Sequence, residues 1–151
     1  MKDSNFSKTR SLILEMLARR EHSAWELQRK LAARGYQSDV VEAALLELCR
    51  DNLQSDQRFT ESYIRSRIER GFGPRRIAAE LGERGISKAL IADCLEREES
   101  RWDSQVIKAR NKRFGQVLPN NPKERDRQIR FLQYRGFTQE QISHALSEID
   151  N

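Results

Sequence analysis

The sequence predicts an all-α protein made of three tandem three-helix repeats that form an elongated, curved helical rod. Three glycines, Gly35, Gly85 and Gly136, are 50 and 51 residues apart and have similar neighbours. Apolar residues recur at three- and four-residue spacing, and no segment shows the strict alternation of a β-strand. Hydrophobic residues make up 37% of the 151 residues and charged residues 34%. This composition favours a thin core shared along a row of repeats over a single thick core.

Each of the three glycines is expected to end a helix. A leucine stands four residues before the glycine, an arginine directly before it, and a large apolar residue directly after it. Glycine readily adopts the left-handed conformation at a helix end, and the residue that follows then packs back on the last turn. The pairs predicted to meet in this way are Leu31 with Tyr36, Leu81 with Ile86, and Leu132 with Phe137.

The predicted repeats cover residues 1–55, 56–102 and 103–151. Ser23, Ser87 and Thr138 are expected to cap helices, and Ser23 forms a capping box with Glu26. The third repeat contains a loop, 115–121, that the other two lack. The helices are expected at about residues 7–20, 24–34, 38–52, 57–70, 74–84, 88–101, 103–114, 122–135 and 139–149.

No residue pattern predicts catalysis or a bound metal. Cys49 and Cys94 fall on apolar helical stripes, so we expect core residues rather than a disulfide. His22 and His144 lie in different repeats without matching ligands, so we expect surface or half-buried helix residues. Trp25 falls at the spacing of core residues, so we expect its side chain to be packed in the core. Because no phosphate-binding loop or nucleophile motif is present, the sequence predicts a protein that is not an enzyme and that has no cofactor.

The positive charge is concentrated in one segment. The formal net charge is +5, but residues 105–135 alone hold nine basic and two acidic side chains, whereas residues 1–104 are nearly balanced. Such a block points to a polyanion or an acidic protein groove as the partner, and the alternative is a solvated face. The sequence shows neither a stretch of about 18 apolar residues nor a signal peptide, so we expect a cytoplasmic protein without a membrane partner.

The central stretch 58–87 holds five arginines within twelve residues, around the break 71–74. Arg75 and Arg76 stand in the first turn of a predicted helix, where cations oppose the helix dipole. That placement indicates a role toward a partner, and the alternative is ion pairing with Glu80 or Glu69. Phe72 lies beside these arginines, either as a contact residue or as a plug between two helices.

Three phrases in this stretch resemble the signature of the RecX family, the bacterial regulators of the RecA recombinase. They are FTESYIRSRI at 59–68, GFGPRRIAAEL at 71–81 and RGIS at 84–87. The resemblance implies a regulator that binds in the helical groove of the RecA–DNA filament. It also implies inhibition of the recombinase, ATPase and co-protease activities of RecA, which limits recombination and the SOS response. Nothing in the sequence predicts a dimer, so we expect a monomer.

Charge placement, rather than the resemblance, suggests which residues contact the partner. A second hypothesis is a DNA-binding protein that reads duplex DNA through helix–turn–helix units. Both hypotheses predict non-specific, electrostatic affinity for DNA that falls with salt. The candidate contact residues are Arg65, Arg67, Arg70, Arg75, Arg76, Arg84, Lys108, Lys112, Arg113, Arg125, Arg127 and Arg130.

Overall fold

The computed structural model describes residues 2–147, which form helices and connecting loops without any β-strand. Three consecutive helices pack on one another in each repeat. The protein exposes 9846 Å², whereas a compact protein of its 17.7 kDa exposes about 7,900 Å². The predicted all-α repeat fold is therefore confirmed, and its large surface fits an extended shape. The helices are α1 (Lys2–Arg19), α2 (Ala24–Ala33), α3 (Ser38–Arg50), α4 (Asp56–Glu69), α5 (Pro74–Glu83), α6 (Lys88–Glu96), α7 (Trp102–Phe114), α8 (Pro122–Arg135) and α9 (Gln139–Ser147).

The helix bounds differ from prediction by more than two residues at two places. The first helix begins at Lys2, five residues before the expected start. α6 ends at Glu96 and is followed by a 3₁₀ turn, Glu99–Arg101, rather than continuing. In this turn the amide of Arg101 donates to the carbonyl of Glu98 at 2.9 Å, which is the tighter three-residue spacing. The predicted end of the last helix at residue 149 lies outside the described residues, as do residues 1 and 148–151 of the predicted repeats.

The three predicted glycine corners are confirmed. The amides of Tyr36, Ile86 and Phe137 donate to the carbonyls of Leu31, Leu81 and Leu132 at 3.0, 3.1 and 3.1 Å. The glycines themselves have φ of +87°, +78° and +100°. The side chains of Ser23 and Ser87 accept the expected capping hydrogen bonds, and Thr138 forms a capping box with Gln141. Local sequence alone therefore positions these turns.

The corners also hold the repeats together. A Cβ atom built on Gly85 would lie 2.4 Å from Cβ of Trp25, near the start of α2. One built on Gly136 would lie 2.3 Å from Cβ of Arg76, near the start of α5. A Cβ atom built on Gly35, in the first repeat, would have no atom of another residue within 4 Å apart from its chain neighbours. Each later corner thus packs against the N-terminal end of the middle helix of the preceding repeat, and only glycine allows that approach.

The core is divided unequally. One cluster of buried side chains, which includes Ile13, Leu27 and Leu48, belongs to α1–α3. A second, continuous cluster runs from Phe59 in α4 to Leu146 in α9. The second and third repeats therefore share one core, whereas the first repeat has its own.

Polar contacts join the first repeat to the second. The Ser23 hydroxyl donates to the carbonyl of Arg84 at 2.9 Å, and the Ala24 amide donates to Oδ1 of Asp56 at 2.9 Å. Gln54 is buried at this junction and donates to the carbonyl of His22 at 3.2 Å. These bonds fix the orientation of the two repeats, but the buried apolar clusters on the two sides stay separate, so the junction adds less to stability than a shared core does.

The two units have separate cores, so each can unfold without the other. We expect α1–α3 to unfold at a lower urea concentration than α4–α9, because its core is the smaller one. The two tryptophans of the chain lie in different units, since Trp25 lies near the start of α2 in the first repeat and Trp102 is buried in the second core. In a Trp25→Phe variant, fluorescence follows the second unit through Trp102, whereas far-ultraviolet circular dichroism follows the helices of both units. The two measurements on the same sample should therefore give unfolding transitions that do not coincide. Coincident curves would show that the polar junction couples the units fully.

Three predicted environments are wrong in this fold. Cys49 is exposed, although Cys94 is buried as expected. His22 is buried in the loop between α1 and α2, where its Nδ1 lies 3.0 Å from the carbonyl oxygen of Arg20, and burial lowers the pKa of its imidazole. Trp25 is 38% exposed, since Gly85 and Arg29 cover only part of it. For the cysteine and the tryptophan, helical spacing identified the helix but not what covers the side chain; the histidine lies outside any helix.

Candidate anion-binding site

Two arginine-rich corners meet at the junction of the second and third repeats. The Gly73 amide donates to the carbonyl of Arg135 at 2.8 Å, and the Arg75 amide donates to that of Gly136 at 2.9 Å. The Arg135 guanidinium donates to the carbonyl of Arg70 at 3.1 Å. Segments that are more than 60 residues apart in sequence thus become one basic surface.

Phe72 forms the centre of this junction. The guanidinium carbons of Arg67, Arg76 and Arg135 lie 3.9, 4.4 and 4.8 Å from the centroid of its ring. The face of an aromatic ring attracts a cation, and the effect is stronger where water is partly excluded. Phe72 is half-buried, and its ring is the platform that orders these three arginines.

Glu80 neutralises two of the three arginines. Its carboxylate accepts two hydrogen bonds from Arg67, at 2.9 and 2.8 Å, and one from Arg76 at 3.3 Å. The Tyr63 hydroxyl donates a further bond at 3.0 Å. Burial alone would raise the pKa of the Glu80 carboxyl, but the bonds from Arg67 and Tyr63 outweigh burial and lower it. The alternative that Arg76 pairs with Glu80 is confirmed.

Replacing Glu80 with glutamine should lower the free energy of unfolding by about 2–3 kcal/mol, since it leaves two partly buried arginines without a counter-charge. The effect should be present above the ordinary carboxyl pKa of 4.5. The effect should shrink as the pH falls through the lowered pKa that the Glu80 carboxyl has in the folded protein, because the wild-type carboxyl is then protonated and, like glutamine, uncharged. Urea denaturation at pH 7 and pH 3 measures both effects. Asp93→Asn, which breaks a pair of half-exposed side chains with Arg97, should cost under about 1 kcal/mol.

Beside this neutralised group lies a cavity of about 210 Å³ lined by four cations that have no such counter-charge. Ala109 and Phe131 line its apolar part. Among the residues that the structure describes, no carboxylate oxygen lies within 4.0 Å of the charged nitrogens of these cations. The cations are Arg70, Lys112, Arg113 and Arg135.

Aromatic rings hold two of these cations in place. The guanidinium carbons of Arg113 and Arg135 lie 5.8 and 5.1 Å from the centroid of the Phe131 ring. Like charges gathered around one cavity repel each other, and an anion in the cavity relieves that repulsion. The arrangement is therefore suited to bind a phosphate or another anion of high charge, and we call it the junction cavity.

The predicted contact residues separate into two groups. Four bind other groups of the protein: Arg67 and Arg76 bind Glu80, Arg84 donates to the carbonyl of Glu80, and the exposed Arg127 pairs with Glu124. The others are exposed and make no ion pair within residues 2–147. Three of them, Arg70, Lys112 and Arg113, meet at the junction cavity. The exposed residues outside it are Arg65, Arg75, Lys108, Arg125 and Arg130.

Arg135 and Phe131 belong to the junction cavity but were not among the predicted contact residues. Arg135 had only the expected role of ending its helix before Gly136. Phe131 and Arg135 are four residues apart, and this spacing predicts that they share one face of α8. That this face lies against Arg70 follows only from the fold.

One arginine of the basic segment serves the core instead. Arg110 is fully buried, and its guanidinium donates to the carbonyls of Gln116 and Val117 at 3.2 and 3.4 Å and to Oδ1 of Asn111 at 2.6 Å. Burial lowers the pKa of this guanidinium. Arg110 thereby ties the loop after α7 to the helix, and its charge is not available to a partner.

The remaining surface offers little other chemistry. No group of three or more His, Cys, Asp or Glu side chains within residues 2–147 is placed to hold a metal ion. In the same range, no helix has the length and hydropathy required to cross a bilayer. Fold and site together define a protein of tandem three-helix repeats with a basic cavity at the junction of the second and third repeats.

Comparison with known proteins identifies the family. Three family models match: the first three-helix domain of RecX at residues 10–48, the second at 55–95 and the third at 103–146. The chain is 43% identical to regulatory protein RecX of Halorhodospira halophila over 93% of this chain and 88% of that one. It is 40% identical to regulatory protein RecX of Pseudomonas entomophila over 93% and 91%. The chain belongs to the RecX family.

Solved structures show the same fold. The crystal structure of RecX from Lactobacillus salivarius superimposes with a TM-score of 0.84 at 20% identity, over 98% of both chains. A second crystal structure of a regulatory protein RecX gives 0.79 at 23% identity, over 95% of this chain and 73% of that chain. The three-helix repeats are thus a property of the family.

Proposed function

We propose that the protein is a non-enzymatic, monomeric regulator that binds the RecA–DNA filament in the cytoplasm and inhibits its recombinase, ATPase and co-protease activities. By doing so it limits recombination and the SOS response. Membership of a family of regulatory proteins supports the regulatory role. The junction cavity, with four unpaired cations, is the observation that supports a charged filament as the target.

In this proposal the junction cavity binds the phosphate backbone of DNA in the filament. Arg70 and Arg113 offer planar donor groups that suit phosphate oxygens, and Lys112 adds a point charge. Such contacts read no bases, and they orient the protein on a strand without sequence preference. A protein with an extended row of repeats has the length to span neighbouring filament subunits and to oppose the changes that accompany ATP turnover.

The helix–turn–helix alternative has less support. The arginines at the start of α5 would have to enter the major groove, since the first residues of a recognition helix contact base edges. The Gly136 corner covers that helix end: it accepts the Arg75 amide and packs against Arg76. The start of α2 is likewise packed against Gly85.

The test is the ATPase activity of RecA on single-stranded DNA, with substoichiometric protein added. Wild-type protein should inhibit, and a variant with Arg70, Lys112 and Arg113 replaced by alanine should require at least about tenfold more protein for the same inhibition. Arg135 is left intact because it also bonds to the carbonyl of Arg70. A matched control replaces Arg19, Arg50 and Lys88, three exposed cations that form no ion pair with any described residue, and loses the same charge.

Two results would contradict the proposal. If the wild type leaves RecA unaffected but binds free duplex DNA at physiological salt, the DNA-binding alternative replaces it. If both triple variants inhibit as strongly as the wild type, the junction cavity has no part in inhibition. Circular dichroism of each variant checks that its helices are intact.

A further inference from the structure

The first repeat presents a second, chemically opposite surface that the proposed function does not use. A groove of about 610 Å³ lies between the exposed side of α3 and the starts of α2 and α4. Ala43, Leu46 and Cys49 form the exposed part of its apolar lining, and Ala24 and the buried Leu45 complete it. Leu46 is 56% exposed, the most of any leucine among the exposed large hydrophobic residues. We call this surface the α3 groove.

The α3 groove exists because α3 has two apolar stripes. One stripe, with Val41, Ala44 and Leu48, is buried against α1 and α2. The other, Ala43, Leu46 and Cys49, recurs at three-residue spacing on a face that no helix within residues 2–147 covers. A solvated helix face normally consists of polar residues, so an apolar stripe there indicates that another molecule covers it.

All charged residues that line the groove are acidic. Asp39, Glu42 and Asp56 line it, and no lysine or arginine does. Asp39 and Glu42 are exposed, and neither forms an ion pair within the described part of the chain. An acid-only rim on a chain of net charge +5 repels nucleic acid and anionic lipid and attracts a basic partner.

A neighbouring depression of about 290 Å³ extends the surface across α2. It shares Gln28 and Glu42 with the α3 groove and adds the side chains of Trp25 and Tyr36, together with one cation, Arg29, whose guanidinium carbon lies 4.8 Å from the centroid of the Trp25 ring. Exposed tryptophan and tyrosine rings are typical anchors of protein interfaces. From Asp39 to Cys49 the groove follows eleven residues of α3, a length of about 15 Å or three helical turns.

We propose that the α3 groove binds a basic amphipathic helix of a partner protein, about three turns long. Its apolar side chains would pack on Leu46 and Ala43, and its lysines or arginines would pair with Asp39 and Glu42. This is the helix-in-groove mode of recognition, in which anchors recur at three- and four-residue spacing. The inference does not depend on the junction cavity, which lies between the other two repeats.

The test uses three synthetic fourteen-residue peptides. The first has leucine at helical spacing with lysine elsewhere; the second replaces lysine with glutamate; the third replaces leucine with glutamine. Only the lysine–leucine peptide should bind, as followed by fluorescence anisotropy at low salt. Leu46→Gln should weaken that binding at least about tenfold, as should the pair Asp39→Asn and Glu42→Gln. Leu53→Gln and the pair Glu69→Gln and Glu83→Gln, exposed residues elsewhere, should leave it unchanged.

Cys49 supplies an independent readout at the groove. It is exposed while Cys94 is buried, so a thiol reagent modifies it selectively, and the bound lysine–leucine peptide should slow that reaction. The proposal is overturned if the peptide binds Leu46→Gln as tightly as the wild type, if Cys49 is not protected, or if none of the peptides binds. It is also overturned if the protein sediments as a dimer that Leu46→Gln dissociates, because the occupant is then a second copy of this chain.

Discussion

Gly136→Ala should destabilise the unit formed by α4–α9 by about 3–5 kcal/mol, which is a large share of the stability of an ordinary domain. Gly136 has a φ of +100°, and a Cβ there costs about 1–2 kcal/mol. The new atom would also lie 2.6 Å from the backbone nitrogen of Arg76. Since that backbone cannot move without loosening the hydrogen bonds of Gly73 and Arg75 to the corner, overpacking and weakened hydrogen bonds add to the cost.

Two other glycines separate these causes. Gly35 has a similar φ of +87° but open space around it, so Gly35→Ala should cost its unit only about 1–2 kcal/mol. Gly82 lies inside α5 with nothing within 4 Å, so Gly82→Ala should stabilise by about 0.5–1 kcal/mol. Hydrogen exchange measures each unit separately. Equal losses for Gly136→Ala and Gly35→Ala would mean that backbone conformation alone matters and that the corner does not hold the repeats together.

The sequence predicted the corners because each one is a local event. A leucine, an arginine, a glycine and a large apolar residue within six positions determine the end of a helix wherever it lies. The packing of Gly136 on Arg76 is different, because it joins residues 60 positions apart. The residues around Gly136 and those around Arg76 give no sign that the two corners meet. The sequence therefore predicted an excess of positive charge, but not the cavity in which that charge is gathered.

Helical spacing identifies a stripe, but it does not say which side of the helix is covered. Cys49 and Leu46 lie on an apolar stripe of α3, yet α1 and α2 cover the opposite side of that helix. Arg110 shows the converse: it stands among exposed cations, but the loop after α7 folds over it. Counting charges in the segment 105–135 therefore overstated the charge that a partner can reach.

Binding to single-stranded DNA should show how many of those charges matter. Each phosphate contact releases counterions, so the slope of log affinity against log salt concentration is about −0.7 per contact for a single strand. Replacing Arg70, Lys112 and Arg113 by alanine should make the slope shallower by about 2 and weaken binding at least about tenfold at low salt. These residues act together because the fold directs all three to the junction cavity.

The matched variant with Arg19, Arg50 and Lys88 replaced has the same net charge as the junction variant. If the protein binds DNA through its net charge, the slope of log affinity against log salt concentration should become shallower by the same amount in both variants. If the junction cavity binds the phosphates, the control should keep the slope of the wild type, because no phosphate contact is removed. A titration of fluorescent single-stranded DNA at four salt concentrations distinguishes these outcomes, and equal slopes for the two variants would contradict a localised site.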